Sequence, residues 1–137
     1  MKKVMCFGTF DNFHPGHKNY LEQASEHGDE LIVIVARDKT VEMIKGNTPQ
    51  DSENVRLGMV KNSLKDNNIK GKVVLGLLKN RFARVKEYKP EYICLGYDQQ
   101  VNLKALKDFI VQERFFCEIK RLKSYYPEKY KSSYCKR

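Results

Sequence analysis

The chain has 137 residues, a net charge of +9, four cysteines and 41% hydrophobic residues. That length supports one hydrophobic core without staples. The longest apolar run, Leu31–Ala36, falls far short of the ~20 residues a membrane helix needs. The cysteines Cys6, Cys94, Cys117 and Cys135 are widely separated and form no C-x-x-C, which argues against a zinc ribbon or a disulfide-stapled fold.

In chain order, Val4–Phe7 predicts a first strand, and Pro15–His27 a helix that stops at Gly28. Leu31–Ala36 is continuous, apolar and β-branched, as in a buried parallel strand. Asp38 is placed to cap a short helix ending at Lys45, with a loop over Gly46-Asn47-Thr48-Pro49. Asp51 or Ser52 caps a helix running to about Asn67, with Val55, Met59 and Val60 on its apolar side. Lys72–Leu75 is a third strand, Arg81–Tyr88 a short helix closed off by Pro90, and Tyr92–Leu95 a fourth strand. Asn102–Phe115 has helical spacing at Leu103, Leu106, Phe109 and Ile110, and Cys117–Leu122 is a fifth strand.

This alternation predicts an α/β fold: a Rossmann-like, open, parallel five-stranded sheet with helices on both faces. The expected organisation is one domain over residues 1–137, of which 123–137 form a polar, tyrosine-rich tail. A strand pattern at the very N-terminus leaves no room for a signal peptide. Together with reduced cysteines this predicts a cytoplasmic protein.

The charge is uneven. Residues 1–50 carry six Lys/Arg against seven Asp/Glu, and residues 51–137 carry twenty against ten. The densest basic stretch is Lys79–Lys86. Such a field suits an anionic partner, although a solvated basic face explains many of these lysines equally well.

The most informative run is Gly8-Thr9-Phe10-Asp11-Asn12-Phe13-His14-Pro15-Gly16-His17. It joins the first strand to the first helix. A helix N-terminus carries unpaired N–H groups and about half a positive charge, so it attracts anions. His14 and His17 add side-chain donors at the same place. The run is neither a G-x-x-x-x-G-K-[ST] loop nor a G-x-G-x-x-G fingerprint. A metal site at His14 and His17 lacks an obvious third ligand, and two surface histidines at a helix start is the plain alternative. Phosphate binding accounts best for the pattern.

Gly8, Phe10, Asp11, His14, Gly16 and His17 match G-x-F-D-x-x-H-x-G-H. The chain therefore resembles the cytidylyltransferase-like nucleotidyltransferases, over residues 1 to about 133. The resemblance implies that a lysine after the second strand reaches the nucleotide phosphates; Lys45 is the better placed, with Lys39 as the alternative. It implies a phosphate-facing arginine at Arg56, although Asn54-Val55 stands where the family often has an acid directly before that arginine. Gly96-Tyr97-Asp98-Gln99 resembles the family's G-x-D segment after the fourth strand. Its Asp-Gln pair is most similar to the small archaeal-type FAD synthases, with the glycerol-3-phosphate cytidylyltransferases next. Ser132 and Ser133 match only the hydroxyl pair of the family's C-terminal segment.

The activity so implied is transfer of a nucleoside monophosphate from a triphosphate to a phosphorylated small molecule, with release of pyrophosphate. The favoured pair is ATP and FMN; the alternative is CTP with glycerol 3-phosphate or another polyol phosphate. His14, His17, Lys45 and Arg56 are the expected catalytic groups. Gly8, Thr9, Phe10, Asp11, Gly16, Gly96, Tyr97, Asp98, Gln99, Ser132 and Ser133 are the expected nucleotide-binding positions. Mg²⁺ or another divalent cation is expected to arrive with the triphosphate, and Asp11 either orients the loop or approaches the metal or the acceptor. No membrane is expected, nucleic acid is disfavoured, and relatives suggest a homodimer. A non-catalytic nucleotide- or RNA-binding protein is the rival of another class.

Overall fold

The computed structural model describes residues 1–123 apart from 79, 81 and 98. Asp98, Ser132, Ser133, Cys135 and nearly all of the expected polar tail lie outside the described residues, as do Lys79 and Arg81 of the basic stretch.

The described residues form ten elements. They are β1 Lys3–Gly8, α1 Pro15–Ser25, β2 Glu30–Val35, α2 Asp38–Lys45, α3 Glu53–Asp66, β3 Gly71–Leu75, α4 Ala83–Tyr88, β4 Tyr92–Leu95, α5 Leu103–Gln112 and β5 Glu118–Arg121. Strands and helices alternate except where α3 follows α2. The five strands form one sheet in the order β3-β2-β1-β4-β5. Every pairing is parallel. The expected Rossmann-like architecture is therefore present.

Strand periodicity divides the core in two. Val4, Cys6, Leu31, Val33 and Val35 face Leu21 and Ala24 of α1 and Val60 and Leu64 of α3. Met5, Ile32, Ile34, Ile93 and Leu95 face Val85 of α4 and Leu106 and Ile110 of α5. β1 and β2 are covered on both faces, which explains their unbroken apolar runs. Cys6 and Cys94 are buried partners across the β1–β4 pair, and with Cys117 they are free thiols. Burial raises the Cys94 thiol to about 11 and the Cys117 thiol to about 12.

The order places β1 at the centre, with β2 on one side and β4 on the other. The connections after β1 and β4 lead to opposite faces, α1 joining the first core and α5 the second. That divergence opens a crevice at the carboxyl edge, where ligands of open α/β sheets bind.

Two expectations of local structure need correction. Of the three residues expected on the apolar side of α3, Val60 is buried but Val55 and Met59 are 51% and 43% exposed. The buried stripe is Arg56, Val60 and Leu64, an i, i+4, i+8 row in which the first member is charged and so invisible to a hydrophobic count. Asp38 does not cap α2 either. It is the first helical residue, and its N–H donates to Glu53 Oε1 at 2.8 Å. A carboxylate brought from α3 thus caps α2.

Gly71 starts β3, and a Cβ there would run into the Leu31 carbonyl oxygen of β2. Gly71→Ala forces the two strands apart and is expected to destabilise the fold by about 1–3 kcal/mol, the usual cost of overpacking. Urea unfolding measures it, and an unchanged midpoint would show that β3 is free to shift.

Candidate active site

The β1–α1 junction is built around two histidines. His14 is the N-cap of α1, with extended backbone geometry, and Pro15 occupies the first helical position. Its Nδ1 accepts from the Gly16 N–H at 3.1 Å, and its carbonyl accepts from the N–H of His17 at 2.9 Å and of Lys18 at 3.2 Å. His17 completes a reciprocal capping box, its Nδ1 accepting from the His14 N–H at 3.3 Å. Proline has no N–H to satisfy, so every donor of the first turn is accounted for.

The helix N-terminus was expected to offer unpaired N–H groups to an anion, but those of Gly16 and His17 are already engaged. The consequence lies in the rings. A neutral imidazole whose Nδ1 accepts must carry its proton on Nε2. Both histidines therefore present an Nε2–H donor. Their rings stack with centroids 3.8 Å apart, so the two donors are neighbours. The Nε2 of His14 is buried without a hydrogen-bond partner among the described residues. A buried donor with no acceptor is costly, and it marks a position that a ligand oxygen can complete.

Both rings are held neutral. Burial lowers the His14 pKa. Burial, and then the neighbouring His14 ring, lower that of His17 to about 3; Lys45 adds to this, against an opposing pull from Asp11.

Gly8 and Phe10 support the pair from beneath. Phe10 is 2% exposed and has a left-handed backbone, φ 55°. Its ring meets His17 edge-on at 5.5 Å and stacks on Tyr20 at 6.1 Å. A Cβ on residue 8 would lie 2.7 Å from that ring, so only glycine fits under it. Among the expected nucleotide-binding positions, Phe10 is thus a buttress for His17, and Gly8 makes room for the buttress.

Asp11 and Arg56 tie the neighbouring loops together. The two Asp11 carboxylate oxygens accept from the N–H groups of Gln50 at 2.8 Å and Asp51 at 2.9 Å. Asp51 returns a bond, accepting from the Asn12 N–H. Arg56 was expected to face phosphate, but its side chain is fully buried. Its Nη1 donates to Thr9 O and Ala36 O, each at 2.7 Å. Its Nε donates to Asp51 O at 3.0 Å and its Nη2 to Asp38 Oδ1 at 2.7 Å. Arg56 is a clamp on the chain ends after β1 and β2. Thr9 contributes its carbonyl to the same clamp.

Lys45 and Lys39 are both exposed on α2. Of the two, Lys45 lies close enough to lower the His17 pKa. Lys45 sits in the last turn of α2, which ends at Gly46 in the left-handed conformation, φ 81°.

The second loop follows β4. Gln99 Nε2 donates to Phe7 O at 3.0 Å, and Gln99 Oε1 accepts from the Gly96 N–H at 3.0 Å. The Tyr20 hydroxyl lies 3.1 Å from Phe7 O, 3.0 Å from Cys94 O and 3.3 Å from Gln99 Oε1. Tyr20 and Gln99 thus occupy the divergence between β1 and β4, where the ladder leaves carbonyls free. Sequence reasoning placed Gln99 on the nucleotide and missed Tyr20 altogether; the only trace of Tyr20 was its helical spacing from His17. Beside this turn lies a depression of about 280 Å³ lined by Tyr97, Gln99, Gln100, Val101 and Arg121.

The donor set at the junction does not fit a divalent cation. No group of three or more His, Cys, Asp or Glu among the described residues is arranged to hold a metal. Asp11 is occupied by backbone donors, and the two histidines present N–H rather than a lone pair at Nε2. The described junction suits anionic oxygens rather than a cation.

A parallel sheet bearing an imidazole donor pair at its first βα junction suits a phosphate-handling enzyme, and the relatives make the chain a nucleotidyltransferase. The chain belongs to the cytidylyltransferase-like family, whose sequence profile matches residues 5–137. It is similar to an FAD synthase of Aciduliprofundum boonei, 39% identical over 91% of this chain and 80% of the relative. It is also similar to an FAD synthase of Methanohalophilus mahii, 40% identical over 89% and 82%. A crystal structure of a lipopolysaccharide core biosynthesis protein from Thermoplasma volcanium superposes with a TM-score of 0.81, at 35% identity over 91% of this chain and 98% of that one. Among the described residues, no helix is long and apolar enough to cross a membrane.

Replacing Arg56 by Met leaves three backbone carbonyls and Asp38 without their donors. The expected loss is about 3–5 kcal/mol in urea unfolding, the range for breaking a buried ion pair. A loss below about 1 kcal/mol would mean that these acceptors find water instead.

The pH dependence follows from His17. Its folded pKa is about 3, whereas the unfolded value is about 6.5. Below pH 6.5 the unfolded chain takes up a proton that the folded chain refuses, so stability is full above 6.5 and falls as pH drops toward 3. By pH 5 the wild type should lose on the order of 1–2 kcal/mol more than His17→Asn does. Parallel stability curves for the two proteins would refute a neutral buried His17.

Proposed function

We propose that the chain is an FMN adenylyltransferase, joining the AMP moiety of ATP to FMN to give FAD and pyrophosphate. The observation that carries nucleotidyl transfer is the pair of neutral Nε2–H donors at His14 and His17, one of them buried without an acceptor. The choice of FMN and ATP is supported by the two relatives named FAD synthase, at 39% and 40% identity.

In this reading a phosphate oxygen of FMN attacks the α-phosphorus of ATP in line. The bond from the α-phosphorus to the bridging oxygen breaks, and that oxygen leaves with pyrophosphate. No protein nucleophile and no net proton transfer are needed, so catalysis consists of positioning and charge stabilisation. His14 and His17 donate to phosphoryl oxygens from rings whose orientation is fixed beforehand by the helix cap. Neutral rings at working pH give donors whose strength does not vary with proton concentration. Lys45, exposed beside His17, reaches the outer phosphates. Asp11 shapes the loop rather than binding metal, and a divalent cation belongs to the substrate as the counterion of its triphosphate. The enzyme works in the cytoplasm, where its thiols stay reduced.

Purified protein given ATP and FMN should produce FAD and pyrophosphate in equal amounts. CTP with glycerol 3-phosphate should give neither a nucleotide conjugate nor pyrophosphate; the opposite pattern would replace the substrates while keeping the chemistry. His14→Ala and His17→Asn should each slow turnover by ~10²–10³, the usual effect of removing one transition-state donor. Near-normal turnover in either folded variant would remove the mechanism.

A further inference from the structure

Arg121 ends β5 and belongs to none of the sequence motifs. It is exposed, yet one of its nitrogens is doubly engaged. Nη1 donates to Gly96 O at 2.8 Å and to Gln99 O at 2.6 Å. These are the two carbonyls that bound the turn after β4. The turn is closed by the Gln99 N–H donating to Gly96 O at 3.1 Å. The Gln99 side chain holds it from within, on Phe7 O and the Gly96 N–H. Arg121 holds it from the flank.

The depression of about 280 Å³ lies against this clamped turn. That volume is just under the usual span of pockets for whole drug-sized ligands, so it suits one ring system. Its lining combines an aromatic face at Tyr97, an apolar side at Val101, two amides at Gln99 and Gln100, and a guanidinium at Arg121. Flat surfaces together with amide donors and acceptors are what proteins use to hold nucleobases and similar heteroaromatic rings. Such recognition depends on the backbone staying put, because the ring is read by groups fixed within a few tenths of an ångström.

We propose that Arg121 is a positioning residue which, by bridging Gly96 O and Gln99 O, fixes the backbone at these two residues in the arrangement that receives the planar heteroaromatic ring of a substrate. The proposal rests on the nucleotidyl-transfer reading. The ring is the adenine of ATP or the isoalloxazine of FMN, and the experiment separates them. Because one nitrogen makes both bonds, a lysine ammonium can replace it, whereas a methionine of similar length cannot.

The test compares wild type, Arg121→Met and Arg121→Lys in two ways. Amide hydrogen exchange without substrate should show the Gln99 N–H losing protection in Arg121→Met and keeping most of it in Arg121→Lys. Steady-state kinetics should show the KM for one substrate rising about tenfold in Arg121→Met, with kcat little changed and recovery in Arg121→Lys. A rise for ATP assigns adenine to the depression; a rise for FMN assigns isoalloxazine. Unchanged exchange at Gln99 overturns the clamp. So do unchanged KM values despite altered exchange, or equal losses in both variants accompanied by a fall in melting temperature. If the wild type turns over neither ATP with FMN nor CTP with polyol phosphates, the transferase reading fails. The exchange result, together with equilibrium binding of ATP and FMN, then decides the clamp by itself.

Discussion

The site depends on one hydrogen bond, from the Gly16 N–H to His14 Nδ1. A helix N-terminus is ordinarily an anion site because its N–H groups are unpaired. Here those groups are paired, with the ring and carbonyl of His14. The positive end of α1 is passed through the imidazole: an acceptor at Nδ1 forces the proton to Nε2, and the donor reappears further from the helix. His17 repeats the arrangement on the His14 N–H. The spacing of three between the histidines follows from this, since a reciprocal N-cap to N3 box needs that separation. Neutrality follows as well. A protonated Nδ1 could not accept, so protonation of either ring would break the cap.

The cap holds only if the loop before it is held. That loop contains two non-glycine residues with left-handed backbone, Phe10 and Asn12 at φ 55° and 50°. Such geometry costs energy in residues with a Cβ and persists where the surroundings enforce it. The surroundings are Arg56 on Thr9 O, Asp11 on the amides of residues 50 and 51, and Phe10 packed over Gly8. Arg56 also grips Ala36 O and Asp38, and Glu53 from the same helix caps α2 and meets Arg37. α3 therefore fixes both the β1–α1 loop and the chain after β2. This is a role for a buried charge that hydrophobic packing could not fill, because the acceptors are backbone carbonyls of irregular chain.

Much of the fold was legible in the sequence because parallel strands covered on both faces are continuous and apolar, and Leu31–Ala36 could be little else. β4 was placed at Tyr92–Leu95 and found there. The face of α3 was misread because its first inward residue is an arginine, and no period counted on apolar residues would include it. The histidine pair was legible as a motif, but its working atoms were not. Which donors face a ligand depends on where the first-turn N–H groups go, and that is a three-dimensional accounting. Arg121 left no trace in sequence because its partners are carbonyls, which every residue has.

The position of Tyr20 and Gln99 bears on where a substrate can lie. In many open α/β sheets the divergence between neighbouring strands is itself the floor of the ligand crevice. Here it is filled by a hydroxyl and an amide that satisfy the carbonyls of Phe7 and Cys94. Burial pushes the Tyr20 phenol well above its ordinary range, so it keeps its proton and its donor role. A ligand cannot enter between β1 and β4 without displacing this pair, so it must lie over it. The same two side chains join α1, which carries the histidines, to the turn after β4. Tyr20 is one helical turn beyond His17, and Gln99 is part of the turn itself. A shift of the turn is therefore transmitted to the helix that orients the donors. Two loops separated by some eighty residues of sequence act as one rigid frame, which is what in-line transfer between two bound phosphates requires.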